Sequence, residues 1–570
     1  MSAREKVTAA YRSIRAADRP EVWISLREEE DVLREADRID DLVNEGERLP
    51  LAGVIVAVKD NIDVAGLQTT AGAPSYAYLP AADATAVSRL RTAGAIVIGK
   101  TNLDQFATGL VGVRSPYGAV RNSVDPSRIS GGSSSGSAVA VALGLVDLAL
   151  GTDTAGSGRV PAALNGIWGF KPTRGRVPAT GVVPACRTLD CVTVFAREPR
   201  LGRHAVDVMA GPDGNDPLAG LRVAPASTRP IRRVLIPTVD EYADIAPGWG
   251  DAFQSVISDL QVQGVEVVER SIEPLLAAAS LLYGGAFVAE RYSAVGAHIA
   301  ENQALIGTDL DKSVARIILD GANPTASALF DDMERLDRLR LRATELLADA
   351  DADAILTPTT TWHPTIEQVR ADPIAANSRM GRFTNYANLM DMASLAVPAG
   401  TVDGLPFGVM FTGPAFSDDQ LAEVAGLIGA EHVDVALFGA HMSGGPLNYQ
   451  ITQLGASFRG SVRTSSTYRL YALDTDPPKP GLVHVGAGEP GYPIEGELWS
   501  MPADGLGRFL DSLPRPMALG KIRTDDGELI TGFLVEPEAL ENSLDISSYG
   551  GWTNWQRAQA TDTRQDAIPL

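Results

Sequence analysis

Four short apolar runs limit what this chain can become: LAGVIVAV at 51–58, AIVIG at 95–99, the stretch at 146–150 and AILTPT at 354–359. Each is rich in branched residues and lacks the polar alternation of a strand with one wet face, so each predicts a strand buried on both faces. Between and around them, 3.6-residue periodicity predicts helices at 83–93, 249–263, 275–302 and 327–350. Residues 3–45 also read as helical, and SAVAVALGLVDLALG reads as a buried helix running into a strand. Strands alternating with helices imply an α/β fold with a mixed, mostly parallel twisted sheet covered by helices on both faces.

A chain of 570 residues exceeds what one hydrophobic core usually supports. The strand, turn and helix pattern of GLPFGVMFTGPAFSDDQLAEVAGLIG closes the first pattern. Short strands with frequent Gly and Pro follow it, in VDVALFG, TYRLYAL, LVHVGA and IEGELWSM. This places a boundary near 428–436, with one domain over 1–430 and a smaller β-rich domain over 436–570.

The formal net charge of −22 argues against nucleic acid or an anionic membrane as partner, since both would be repelled. An anionic substrate would therefore need a local cation to hold it. Cys186 and Cys191 are the only cysteines, and no cysteine–histidine cluster suggests zinc. The N-terminal segment lacks the apolar core of a signal peptide, and the longest uncharged apolar stretch, near 137–146, is too short to span a bilayer. The expectation is a cytoplasmic protein with no metal and no organic cofactor.

Three segments carry chemistry. AVKDNIDVAG puts Lys59 at the end of an apolar strand, ISGGSSSGSAVAVA places three serines after Gly131 and Gly132, and GTDTAGSGRVPAALNGIWGFKPT sets Ser157 in a Gly-rich turn. A serine hydroxyl needs a base, and a lysine desolvated by apolar neighbours can become one. Gly-rich turns can aim consecutive N–H groups at a developing oxyanion. Taken singly, each feature also fits a flexible connection or a solvated charge. His204, His298 and His363 stand in no motif-like setting, so a Ser-His-Asp triad is set aside.

Together, in this order and with 24 residues from Ser133 to Ser157, these segments resemble the amidase signature family over roughly residues 20–430. The resemblance implies Ser157 as nucleophile, Ser133 as relay after a cis peptide bond, and Lys59 as base. It also implies an oxyanion hole from the N–H groups of Thr154, Ala155, Gly156 and Ser157. Ser135 and Ala155 stand where the family commonly has glycine, which, with GVVPACRTLDCVTVFA, resembles the allophanate hydrolase branch. Tyr283 and Arg291 match that branch's substrate-holding pair, and eight residues of continuous helix would set them on one face. The last domain, through ALFGAHMSGGPLNYQI, IEGELWSM and DISSYGGW, is similar to the branch's C-terminal domain, of γ-glutamyl cyclotransferase-like type. There His441 matches a histidine expected to help decarboxylate the first product.

The same resemblance implies a homodimer acting on allophanate, a small planar anion supplied by a separate urea carboxylase or by triazine breakdown. Three competing readings are a broad small-amide amidase, a non-catalytic scaffold and one component of an amidotransferase. Arg291 pairing with Glu290 or Glu301, and His441 merely packing against its loop, are the plain structural alternatives.

Overall fold

In a computed structural model of the chain, described for residues 1–220, 229–429, 432–475, 477–486, 488–541 and 543–565, two compact units form, Met1–Gly429 and Ala430–Leu570. Residues 430–431, inside the boundary expected near 428–436, lie outside the described residues.

Eleven strands of the first unit join in one sheet: β1 (Trp23–Leu26), β2 (Ile55–Lys59), β3 (Ile96–Thr101), β4 (Leu148–Asp153), β5 (Trp168–Lys171), β6 (Cys191–Ala196), β7 (Arg233–Ile236), β8 (Glu266–Glu269), β9 (Ala354–Pro358), β10 (Ala393–Val402) and β11 (Leu405–Gly413). Their order is β1-β3-β2-β4-β6-β5-β10-β11-β9-β7-β8. The sheet is mixed, but antiparallel pairs outnumber parallel ones, six to four, against the expected parallel majority. Parallel pairing is confined to β3-β2-β4 and to β9-β7-β8. Within the antiparallel middle, the tight turn between β10 and β11 returns the chain directly beside itself, whereas the neighbouring pairs are joined through longer connections.

Alternate residues of β2 enter different cores. Val56 and Val58 pack in one cluster, while Ile55 and Ala57 pack in another with Val7, Val32 and Val139. A strand buried on both faces leaves no polar positions, hence the unbroken apolar run. The helix Ser135–Ala142 is likewise buried on every side. Because β2 and β4 pair in parallel, their polar C-terminal ends, Lys59 and Asp153, emerge along one edge of the sheet.

Two expected helices are interrupted. The first helical stretch divides into Ala3–Ala17 and Glu29–Asn44, with β1 between them pairing antiparallel with β3. Asp18 ends the first helix in the left-handed region (φ 48°), and Pro20 follows. The stretch 275–302 divides into Glu273–Gly284 and Ala289–Glu301. Gly285 is extended there, and Asp332 Oδ2 accepts the Ala286 N–H at 2.7 Å, restarting the chain in a new direction.

The second unit is built on a five-stranded sheet. Its strands are β12 (His432–Leu437), β13 (Ser457–Arg463), β14 (Tyr468–Leu473), β15 (Lys479–His484), β16 (Glu495–Pro502), β17 (Met517–Arg523), β18 (Leu529–Val535) and β19 (Leu544–Asp545). The five-stranded order is β13-β16-β12-β18-β17, and β15-β14-β19 form a separate three-stranded sheet. Among the described residues no helix is long and apolar enough to cross a membrane.

Phe195 of β6 is fully buried in the second cluster, and its ring lies against the backbone of Gly151 in β4. Phe195→Ala should therefore cost about 3–5 kcal/mol, read as a lower denaturant midpoint; an unchanged midpoint would contradict this packing.

Candidate active site

The parallel ends of β2 and β4 meet the Gly/Ser-rich segment. Lys59 is fully buried, and its Nζ donates to Ser133 Oγ at 2.7 Å and to Thr152 Oγ1 at 2.8 Å. Asn61 Nδ2 donates to the same Thr152 hydroxyl at 3.3 Å and to Val183 O at 3.1 Å. Burial pushes the lysine down to about 7, against the opposing pull of Asp104, Asp190 and Asp153. Desolvation wins because none of those carboxylates forms an ion pair with Lys59.

The Gly132–Ser133 peptide bond is cis. Space there is minimal: a Cβ on Gly132 would lie 2.1 Å from Asp104 Oδ2. Asp104 in turn accepts the N–H groups of Val111 (3.1 Å), Gly112 (2.9 Å) and Arg114 (2.9 Å). Asp104 thus ties the two segments, its own N–H donating to Ser133 O at 3.1 Å while its carboxylate holds the loop 109–114. Ser157 Oγ donates to Gly109 O of that loop at 3.4 Å. Among the described residues no hydrogen bond joins Ser133 Oγ to Ser157 Oγ.

The turn carrying Ser157 is held by a buried ion pair. Arg159 Nε and Nη2 donate to the two oxygens of Asp153 at 2.9 and 2.8 Å, and both side chains are wholly inaccessible. The same carboxylate accepts Gly156 N–H (2.8 Å) and Gly158 N–H (2.9 Å). Burial alone would raise this carboxyl, but Arg159 holds it below its ordinary value. Asn388 Nδ2 donates to Asp153 O, and Thr384 Oγ1 donates to Ala155 O, from the far side. Gly156 has φ +129°, and a Cβ there would meet Thr384 Oγ1 at 2.3 Å.

This geometry divides the four N–H groups expected to face an oxyanion. That of Gly156 is already donated to Asp153, so Gly156 supplies a backbone shape rather than a donor. Among the described residues, those of Thr154, Ala155 and Ser157 have no such commitment. Thr154 Oγ1 donates to the buried Asp190, which also accepts the N–H groups of Ala185 (2.9 Å) and Cys186 (3.2 Å). Burial raises Asp190 to about 6.

Arg291 is fully buried, with Nη1 on Thr108 Oγ1 at 2.9 Å and Nη2 on Tyr283 Oη at 3.0 Å. Its Nε has no hydrogen-bond partner, and among the described residues no carboxylate pairs with it. Glu290 instead accepts the N–H (2.6 Å) and the hydroxyl (2.8 Å) of Thr188. Thr108 adjoins Gly109, so the guanidinium lies one residue from the carbonyl beside Ser157. Tyr283 and Arg291 do meet, but across the break at Gly285 rather than along one helix face.

In the second unit His441 stacks on Phe533 with centroids 5.2 Å apart, and its Nε2 is 3.0 Å from Gln450 Oε1. Burial lowers its basicity. It lines a cavity of about 320 Å³ with Gln450, Lys479 and mostly apolar neighbours such as Leu447, Met517 and Phe533. Among the described residues no group of His, Cys, Asp or Glu is arranged to hold a metal.

Sequence reasoning passed over Thr152, Asp104, Asp190, Thr108 and the Asp153–Arg159 pair. Three of these residues carry a readable signal, because Thr152, Asp153 and Arg159 sit in and just beyond an apolar strand where a solvated polar group has no place. Asp104 and Thr108 carry none, since their roles depend on loops that meet only in three dimensions.

The family model described as Amidase matches residues 5–422, and that of the allophanate hydrolase C-terminal domain matches residues 433–557. Urea amidolyase of Lachancea kluyveri is 39% identical over 95% of this chain and 32% of its own length. Urea amidolyase of Saccharomyces cerevisiae is 38% identical over 93% of this chain and 31% of its own length. This chain therefore spans about a third of the length of the urea amidolyases it matches. The solved structure of Kluyveromyces lactis allophanate hydrolase superposes with a TM-score of 0.71 at 37% identity, covering 98% of this chain and 97% of that one.

Replacing Arg159 by leucine would leave Asp153 buried without its cation. The expected loss is about 3–5 kcal/mol, measured as a drop in the denaturation midpoint, and a midpoint equal to wild type would refute the role given to this pair.

Proposed function

The chain belongs to the amidase family and carries an allophanate hydrolase C-terminal domain, and from that premise we propose that it hydrolyses allophanate at its terminal amide through an acyl-enzyme. The observation that carries this reading is Arg291: a buried guanidinium with an unpartnered Nε, one residue from the nucleophile's neighbour. Among the described residues no carboxylate is in direct ion-pair contact with it, although Asp190 and Glu290 act on it from farther off. A buried cation with no carboxylate in direct contact is incompletely compensated, and a substrate carboxylate bound to it would supply the missing contact. Tyr283 supports the guanidinium from the other side.

In this mechanism Lys59 is neutral when it acts. Its remaining N–H bonds keep Thr152 as partner while its lone pair takes the proton of Ser133, which takes that of Ser157. Ser157 Oγ, turned from Gly109 O, attacks the amide carbon, and the N–H groups of Thr154, Ala155 and Ser157 receive the oxyanion. The C–N bond breaks, the relay returns its proton to the leaving nitrogen, and ammonia departs. Water then attacks the acyl-enzyme by the same path and releases N-carboxycarbamate. That product loses carbon dioxide to carbamate, a step to which His441 and the cavity around it contribute. The reading includes a cytoplasmic homodimer whose allophanate comes from a urea carboxylase or from triazine breakdown, a link supported by the similarity to urea amidolyases.

Ammonia release from allophanate tests the reading directly. Ser157→Ala should lower it about 10⁴-fold or more in a folded protein, and an active variant would remove Ser157 as nucleophile. Arg291→Ala should raise KM for allophanate about 10- to 100-fold while leaving KM for propionamide nearly unchanged; equal effects on both substrates would count against a carboxylate clamp. Because the base must be unprotonated and Lys59 titrates at about 7, kcat/KM should climb as pH rises through 7 and level off above it. A flat profile from pH 6 to 8 would rule out this lysine as the base.

A further inference from the structure

Asp190 is a buried carboxylate to which the acyl-transfer steps give no task. It sits between the two halves of the candidate site. On one side it receives the hydroxyl of Thr154, the first residue of the Thr154–Ser157 turn. On the other it receives the N–H groups of Ala185 and Cys186, at the head of the segment Ala185–Asp190. That segment is fastened at two further points. Glu290, next to Arg291 in sequence, accepts both the N–H and the hydroxyl of Thr188. Asn388, which also holds Asp153 O, donates to Leu189 O at 3.0 Å.

The path is thus continuous: Thr154, Asp190, the segment to Thr188, Glu290, and then the helix turn that presents Arg291. Its links are hydrogen bonds made by charged acceptors, and the Asp190 end is closed to water. Such bonds are the strongest available for fixing geometry.

We propose that Asp190 is a positioning residue that holds the Thr154–Ser157 turn in register with the Arg291 clamp, so that a substrate gripped by its carboxylate presents its amide carbonyl to the free N–H groups. The proposal rests on the reading of Ser157 as nucleophile. Asp190 touches no reacting atom; it acts through Thr154. The charged and titratable groups that face it are Lys59 from β2, Arg291 and the thiols of Cys186 and Cys191. An asparagine at 190 would keep the shape but lose the charge that draws three donors to one point.

Three variants of the full chain separate this from plain structural support: Asp190→Asn, Thr154→Val and Thr154→Ser. Two readouts apply, steady-state hydrolysis of allophanate and the rate at which a fluorophosphonate labels Ser157, the second being independent of substrate identity. Thr154→Val and Asp190→Asn should each lower kcat and the labelling rate about tenfold or more, with KM for allophanate within about twofold of wild type because Arg291 stays in place. Thr154→Ser keeps the hydroxyl and should recover most of the labelling rate. If Asp190→Asn does not fold, the two Thr154 variants carry the test alone. Wild-type labelling in Thr154→Val, or a Thr154→Ser variant as slow as the valine, would overturn the proposal. A wild-type chain that resists the phosphonate would instead remove Ser157 as nucleophile, and the coupling with it.

Discussion

The salt bridge between Asp153 and Arg159 is the interaction on which the rest of this site depends. A five-residue turn has too little backbone hydrogen bonding to keep one shape. Here its ends are joined by a two-point ion pair, and its Gly156 and Gly158 N–H groups are drawn onto the same carboxylate. The pair contributes little net stability by itself, since both charges gave up water to reach it. What it supplies is a fixed direction for Ser157 and for the three neighbouring N–H groups. Thr384 and Asn388 then lock the turn to the helix Asn385–Leu389, and Arg159 Nη1 reaches Met410 Sδ of β11 behind it.

Lys59 shows the opposite use of the same dry surroundings. Three carboxylates act on it, yet each is occupied elsewhere: Asp153 by Arg159, Asp104 by three backbone N–H groups, and Asp190 by Thr154 and two more. Carboxylates satisfied in this way cannot turn toward the lysine, so burial decides its charge. Elsewhere in the same core Lys100 meets Asp60 directly at 3.0 Å. The two lysines, on adjacent strands, differ in that Asp60 meets Lys100 directly, although burial lowers that lysine too.

Much of this was legible in the sequence. Continuous apolar runs give β2, β3, β4 and β9 because a strand covered on both faces has no polar position to show. The serine-rich segment and the GTDTAGSGR turn carry their chemistry in residue types whose spacing is set locally. The antiparallel centre of the sheet was not legible, because strand direction follows from connection paths and not from strand composition. Neither was β1, four residues whose strand character comes from pairing with β3. The commitment of the Gly156 N–H to Asp153 is also silent in sequence, since any residue at 156 other than proline would have an N–H there. At Gly285 the pattern misleads outright: the apolar period runs through 275–302 unbroken, and only the Asp332 contact reveals the interruption.

That interruption changes how the paired side chains Tyr283 and Arg291 can evolve. On an unbroken helix, one inserted residue between them would swing the arginine about 100° around the axis and destroy their meeting. Here the joint at 285–288 separates two rods, each anchored by its own core contacts. Insertions or deletions at the joint alter the span between tyrosine and arginine without rotating either rod. A change of span at the joint would therefore reach the Ser157 turn through the bonds that Glu290 accepts from Thr188.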